Sequence, residues 1–511
     1  MKVDRASLLY STLLLTGVSL AVQLVGFVYR VFLSRLIGAE TMGLYQLIMP
    51  VYSVLLSLTA SGLTVALSTL SSEYHARGNR KAVRRLLTTA LRVLFVLWLP
   101  LTVVTVLCSD PISVYLLGDA RTQLGLVLLP ACLLLTGVEN LHKHHFYGVG
   151  NVRVPAAVEF GEQLVRAGAV LGLLLAFGPQ WPERTVGLIV IGMVVSEVFS
   201  SSTLILLRKK NEGRLGPPSG PGETPFVLRR RLMSAALPIG GTALLGNLMS
   251  SANSVLIPQQ LVRAGMEVSQ AMSDFGVLFG MTMPLLTLPV AFIGALCTVL
   301  VPKLTEHVAL GNRPACREKI GKALLAASVL ILPAMALLVV LGPAVGELLF
   351  GDSRVGRHMA PLAVGVALSC WQSVLGASLN GMGKQRQAAA VSLLCGGVQL
   401  AFTWVGTGIP GVGMYGFILG FVVSSALAVG IELALVIRCT GLRPNLFQWF
   451  TAPGLAALLM GLCANLLFRV LLDQGVPDLA AAAGCLSFGA LLYVVTLWVE
   501  DIHPFKLFHL R

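Results

Sequence analysis

Apolar stretches of roughly 20 residues follow one another along nearly the whole chain, separated by short segments that carry most of its charge. Each stretch is long enough to cross a hydrocarbon core of about 30 Å as a helix. The stretches lack the alternation of lipid-facing barrel strands, so helices are the form that satisfies their backbone. About fourteen spans are predicted, near 8–33, 42–70, 86–108, 122–147, 155–177, 185–207, 232–262, 275–301, 323–349, 358–381, 388–407, 413–437, 450–471 and 479–499. The first follows Lys2 and Arg5 in the manner of a signal peptide. Its apolar run is too long for one and no small-x-small cleavage site follows, so it reads as a retained helix.

The pattern also repeats, at an offset of about 233 residues. Gly78-Asn79-Arg80 returns as Gly311-Asn312-Arg313. Gly148-Val149-Gly150 with Arg153 and Ala156-Ala157 returns as Gly381-Met382-Gly383 with Arg386 and Ala389-Ala390. Gly43 returns as Gly276, and Arg30 as Arg263. The longest hydrophilic segment, from Arg208 to Arg231, falls where the repeat restarts and contains Gly216-Pro217-Pro218-Ser219-Gly220-Pro221-Gly222, a flexible tether. The predicted organisation is an N-terminal six-helix lobe (1–207), a cytoplasmic linker (208–231), a second six-helix lobe (232–438), then two added transmembrane helices with a cytoplasmic tail (439–511). Six is even, so both halves enter the membrane in the same direction and the repeat is parallel. The fold class is an all-α polytopic membrane protein with two parallel-repeat six-helix lobes plus two C-terminal helices.

Composition agrees: 56% of residues are hydrophobic and only 12% charged, where a soluble domain carries about a quarter. The net charge of +14 sits in a few short loops. Arg77, Arg80, Lys81, Arg84 and Arg85 share one; Arg208, Lys209, Lys210, Arg214 and Arg229-Arg230-Arg231 another; Lys303, Arg313, Arg317, Lys319 and Lys322 a third. With fourteen spans these loops and both termini fall on one side, which the positive-inside rule makes cytoplasmic in the cell membrane. The basic balance is therefore topological, and no nucleic-acid partner is implied. The nine cysteines stand singly, with no Cys-x-x-Cys pair to suggest zinc or a disulfide framework. His142, His144 and His145 read as a basic rim at the membrane interface, with no metal expected. Without a nucleotide-binding loop, a Gly-x-Ser-x-Gly motif or a long loop, the reading is a transporter, not an enzyme, and no cofactor is expected.

Charged residues inside the spans are the candidate site. Glu159, Glu162 and Arg166 recur at spacings that place them on one helix face, with Gln163 beside them. Arg166 lies about 16 Å along its helix from Pro155, near mid-depth. An arginine there costs about 2.5–3.5 kcal/mol on insertion scales, so it must face water or a partner. The stripe reads as the wall of a hydrated cavity; the plainer alternative is a Glu162–Arg166 pair locking two helices. Arg30 and Arg263, alone, are snorkelling residues. As repeat mates they read as two guanidiniums facing across a pseudo-twofold axis, with the planar forks a diphosphate requires. Glu197 and Glu432, in loosely corresponding places, are candidates for ion coupling or for capping a buried polar contact. Pro50, Pro100, Pro130, Pro238, Pro284, Pro289 and Pro333 loosen helices in a bundle expected to rock.

The stretch Gly26-Phe27-Val28-Tyr29-Arg30-Val31-Phe32-Leu33-Ser34-Arg35-Leu36-Ile37-Gly38-Ala39-Glu40, continuing Met42-Gly43-Leu44-Tyr45-Gln46-Leu47, resembles the opening of the stage V sporulation protein B family. Leu237-Pro238-Ile239 and Val301-Pro302-Lys303-Leu304 resemble it too. That family is a polysaccharide-transporter branch of the multidrug/oligosaccharidyl-lipid/polysaccharide exporter superfamily. The resemblance implies two six-helix lobes around a central cavity. It also implies a flippase moving a lipid-linked peptidoglycan precursor, lipid II or a close relative, to the outer leaflet for spore cortex synthesis. Membrane lipids and cell-wall synthesis proteins are the further partners it implies. One departure stands out. Lipid II flippases of the superfamily carry a basic pair after a Leu-Pro in span two, where Met49-Pro50 is followed here by Val51-Tyr52-Ser53-Val54-Leu55. Their span-one arginine falls on Tyr29, so the diphosphate grip does not transfer residue by residue. A flippase for another undecaprenyl-linked polysaccharide unit, a cation-coupled drug exporter and a non-transporting scaffold for cortex-synthesis enzymes are the other readings.

Overall fold

The computed structural model describes residues 5–178, 181–214 and 220–500. Fifteen helices organise these residues: α1 (Arg5–Leu56), α2 (Gly62–Ala76), α3 (Arg80–Leu107), α4 (Gln123–Gly148), α5 (Arg153–Phe177), α6 (Pro182–Arg214), α7 (Pro225–Arg263), α8 (Val268–Gly276), α9 (Val290–Ala309), α10 (Arg313–Phe350), α11 (Met359–Gly381), α12 (Gln385–Thr407), α13 (Met414–Thr440), α14 (Ala452–Asp473) and α15 (Asp478–Val499). Shorter helical turns join several of them. Among the described residues, 13 helical segments are long and apolar enough to cross a membrane. The chain is a polytopic all-α membrane protein.

The first segment, Thr16–Ala76, has 61 residues. At 1.5 Å per residue it is about 90 Å long, enough for two crossings. It bends at Gly38, whose φ of 76° no side-chain-bearing residue adopts cheaply. The first two expected spans therefore join through a bend and not a loop. The span expected at 275–301 is broken instead. After α8 come a π-helical turn (Val277–Thr282) and a five-residue helix (Met283–Thr287), and α9 begins only after Pro289. Pro284 and Pro289 lack the N–H groups that a continuous helix would need.

The duplication is visible in the helix ends. α2 ends at Ala76 and α9 at Ala309; α3 starts at Arg80 and α10 at Arg313; α4 ends at Gly148 and α11 at Gly381. Asn79 and Asn312 cap their helices alike, each side-chain oxygen accepting from Ala82 N or Ala315 N at 3.1 Å. Asp119 and Asp352 each accept from the second following residue, Arg121 N or Arg354 N, at 2.9 Å. Each then pairs with that arginine's Nη2 at 2.7 Å.

The chain divides into two compact units. One runs up to Val262 and adds Met266–Gly276; the other takes Arg263–Gly265 and continues from Val277. In the first, Leu63, Leu67, Leu86, Leu87, Leu228 and Leu232 pack α2, α3 and α7 together. A second core of Leu33, Met42, Cys132, Val170 and Ile189 joins α1, α4, α5 and α6. In this unit Gly43 and Gly276 bring α1 and α8 into backbone contact. A Cβ on Gly43 would lie 2.1 Å from Met272 O, and one on Gly276 1.9 Å from Ala39 O. In the second unit, Leu341, Phe468, Ala481 and Cys485 seat α14 and α15 on α10.

Most of the glycine- and proline-rich tether, 215–219, lies outside the described residues, while α6 reaches Arg214 and α7 starts at Pro225. The tether's far end is anchored. Glu223 accepts from Tyr74 Oη at 2.5 Å, and its carbonyl accepts from Arg85 Nη1 at 3.1 Å. Arg231 donates to Tyr74 Oη at 2.7 Å and to both Glu73 oxygens at 3.0 Å.

Candidate functional site

Three carboxylates and two cations meet inside the first unit, where α4, α5 and α6 pack against one another and against α1. α4 supplies Glu139 and Lys143, one helical turn apart; α5 supplies Glu162 and Arg166 at the same spacing; α6 supplies Ser196 and Glu197. Lys143 Nζ lies 2.6 Å from Glu139 Oε1 and 3.4 Å from Glu162 Oε2. Arg166 Nη2 pairs with Glu162 Oε1 and reaches Glu197 Oε1 at 3.0 Å, while its Nε donates to Ser196 Oγ at 3.2 Å. Glu139, Glu162 and Glu197 are all buried. Their oxygens come within 4.8 Å of one another, a spacing suited to a bound cation. Lys143 and Arg166 already supply two fixed positive charges there, which leaves one negative charge over when every group is ionised. Charges in such a place persist only when paired and hydrogen-bonded.

Arg166 is the cluster's open edge, with 23% of its side chain exposed against 3% for Glu197. Tyrosines of α1 surround it. Tyr52 Oη donates to Thr136 Oγ1 at 2.7 Å, and Tyr45 Oη lies 3.9 Å from Met193 Sδ. Tyr45 stands within electrostatic reach of both Arg30 and Arg166.

Glu162, Arg166 and Glu197, three of the residues singled out in the sequence, thus form one network. Gln163 sits against α1, where a Cβ on Gly26 would lie 3.1 Å from its Nε2. Glu159, partly buried one turn earlier, is within electrostatic reach of Lys143. Arg30 is partly buried on α1. Arg263 is the exposed last residue of α7, and Glu432 is buried on α13 in the second unit. Glu139, Lys143 and Ser196 were not among the expected site residues. Glu139 and Lys143 carry a signal, an acid and a base one turn apart inside an apolar run, obscured by the neighbouring histidines. Those histidines do not form an interfacial rim. His142 and His145 are buried, and His142 Nδ1 lies 2.7 Å from Val138 O on its own helix.

Residues 8–308 match the family described as "Polysaccharide biosynthesis protein". Stage V sporulation protein B of Bacillus subtilis (strain 168) is 24% identical over 500 residues, covering 97% of this chain and 96% of that protein. The lipid II flippase MurJ of the same organism is 23% identical over 423 residues, covering 76% and 75%. Among solved structures, a lipid II flippase MurJ in an inward closed conformation superposes with a TM-score of 0.74. That match has 12% identity and covers 96% of this chain and 99% of that one.

Proposed function

Because the chain belongs to the polysaccharide biosynthesis protein family, we propose that it is a flippase carrying a lipid-linked glycan from the inner to the outer leaflet of the cell membrane. The observation that carries this reading is the likeness to stage V sporulation protein B over 97% of the chain. The substrate proposed is a lipid II-like peptidoglycan precursor for the spore cortex, with cell-wall synthesis proteins as partners. The two six-helix lobes at 1–207 and 232–438 would rock in alternating access about the 208–231 linker, with the helices of 439–511 outside that core and both termini cytoplasmic. A headgroup with a diphosphate cannot cross about 30 Å of hydrocarbon unaided, since each unsatisfied polar group costs several kcal/mol there. Arg166 supports the reading. Its guanidinium is held in place by Glu162, Glu197 and Ser196 and keeps one exposed edge at mid-depth. That is a fixed cation with donors to spare for phosphate oxygens.

The test is translocation of fluorescent lipid II in proteoliposomes by wild type, Arg166→Ala, Arg166→Lys and an Arg30→Ala/Arg263→Ala double variant. Flipping that Arg166→Ala and the double variant lose is the expected result. Flipping that survives both removes the arginines from the mechanism. Failure of well-folded wild type on lipid II, with success on another undecaprenyl-linked glycan, reassigns the substrate; the missing arginine after Pro50 is the feature that favours that second reading. Failure on both points to a scaffold.

A further inference from the structure

The repeat offset carries the charge cluster of the first unit onto a second place in the chain. At that offset Glu139 corresponds to Gln372, Lys143 to Gly376, Glu162 to Cys395 and Arg166 to Gln399. Glu197 finds its counterpart two positions beyond the offset, in Glu432. The structure of the second unit brings three of these counterparts together, Gly376, Cys395 and Glu432. Glu432 of α13 is 1% exposed and faces Gly376 of α11, where an added Cβ would lie 3.6 Å from its Oε1. Cys395 of α12 lies within its electrostatic reach. Around them Val391, Ala428, Ile431 and Leu435 form an apolar shell. The same architecture appears twice, once filled with charge and once emptied of all but one acid.

Glu432 Oε2 has no hydrogen-bond partner. Among the described residues, α11 presents a glycine and α12 a thiol, and no lysine, arginine, histidine or second carboxylate bears on the group. The position that supplies a lysine in the first unit is Gly376 here, so the second unit has the acid without the counter-charge. A metal ion would need several oxygen ligands, and a glycine and a thiol offer no side-chain oxygen. A proton needs only the carboxylate, and a lone carboxyl in an apolar surround is stable when neutral.

We propose that Glu432 is a proton-binding site: a neutral acid while α11, α12 and α13 enclose it, giving up its proton when those helices part and admit water. Within the transport reading, which the coupling rests on, this makes the second unit proton-responsive through a single acid, whereas the first unit sets three carboxylates against two cations. Proton binding itself does not depend on what is transported.

The test uses the full chain in lipid nanodiscs. Infrared difference spectra are recorded between low and high pH for wild type, Glu432→Gln and Gly376→Lys. The expected result is a protonated-carboxyl carbonyl band in wild type, part of which disappears in Glu432→Gln. The same part is lost in Gly376→Lys, where a restored ammonium holds the carboxylate ionised. Identical difference spectra for wild type and Glu432→Gln across the pH range overturn the proposal, because Glu432 then neither takes up nor gives up a proton. In proteoliposomes, flipping of lipid II by wild type should follow an imposed pH gradient and flipping by Glu432→Gln should not. A Glu432→Gln protein that still follows the gradient overturns the coupling. If wild type flips no lipid at all, the flippase reading fails while the infrared band still decides the proton site.

Discussion

Arg166 pairs with two buried carboxylates, of which Glu162 is also reached by Lys143, so its removal is more than the loss of one contact. In Arg166→Ala, Glu162 and Glu197 stay buried, and breaking a buried pair by deleting one partner costs about 3–5 kcal/mol. The exposure of the arginine itself argues for the lower end. A clear fall in the melting temperature of the purified protein is expected, partly restored by Arg166→Lys; an unchanged melting temperature would show that the cluster carries no structural weight. Outside the membrane-spanning segments, hydrogen bonds from Arg354 hold the Asp352 carboxyl below its usual range. A depressed acid stabilises the fold above its unfolded value of about 3.9 and loses that contribution as pH falls through the lower folded value. Asp352→Asn should therefore lower stability at neutral pH and leave it unchanged at strongly acidic pH, as a thermal-unfolding series against pH will read. The i, i+4 spacing of Glu162 and Arg166 made their shared face legible in the sequence. What met that face was not legible. Ser196 and Lys143 arrive from other helices, whose rotation is set by packing and by no local pattern.

Helix ends were less legible than the crossings: α3 begins at Arg80 and α10 at Arg313, where spans were expected from 86 and 323, because the first turns there are polar and capped by asparagine. Asn79 and Asn312 start their helices with the same bond, yet Asn79 is buried under Gly220 while Asn312 is exposed. Replacing either cap by alanine should cost about 1 kcal/mol, and Asn79→Ala more than Asn312→Ala, because it also loosens the anchored end of the tether. Comparing the two melting temperatures checks this, and equal shifts would count against any role for the anchor. The apolar runs gave the crossings but not how they connect. Gly38 lies in a segment that reads as a loop between two spans, and only its positive φ turns that loop into a bend. The break in the eighth crossing was marked by Pro284 and Pro289. In the sequence they mark only a loosened helix, whereas in the structure their missing N–H groups fall where one helix ends and another starts.

Across the whole molecule, the repeat found by matching short motifs governs helix ends, caps and the arrangement around Glu197 and Glu432 alike. That extent was legible because the offset holds from Arg30 to Ala157 through loops as well as spans, and slips by only two positions at Glu197. The differing chemistry of the two halves had to come from the structure, since only there does Gly376 face an acid. The contact between Gly43 and Gly276 is reciprocal: position 43 meets the mate of position 39, and the mate of position 43 meets position 39. Such a contact has the form of an isologous interface, in which one patch is its own partner. A Cβ at either glycine would strike a backbone carbonyl, so Gly43→Ala and Gly276→Ala should each lower the melting temperature of the purified protein. No shift in either would mean that α1 and α8 can move apart freely. A half-length chain carrying one such glycine would meet its own copy by the same contact, as a two-fold dimer does. The two halves now differ elsewhere, with a charged cluster around Glu197 and a glycine facing Glu432. The two crossing glycines do not differ, because there the chain has to satisfy the rule of a protein that binds itself.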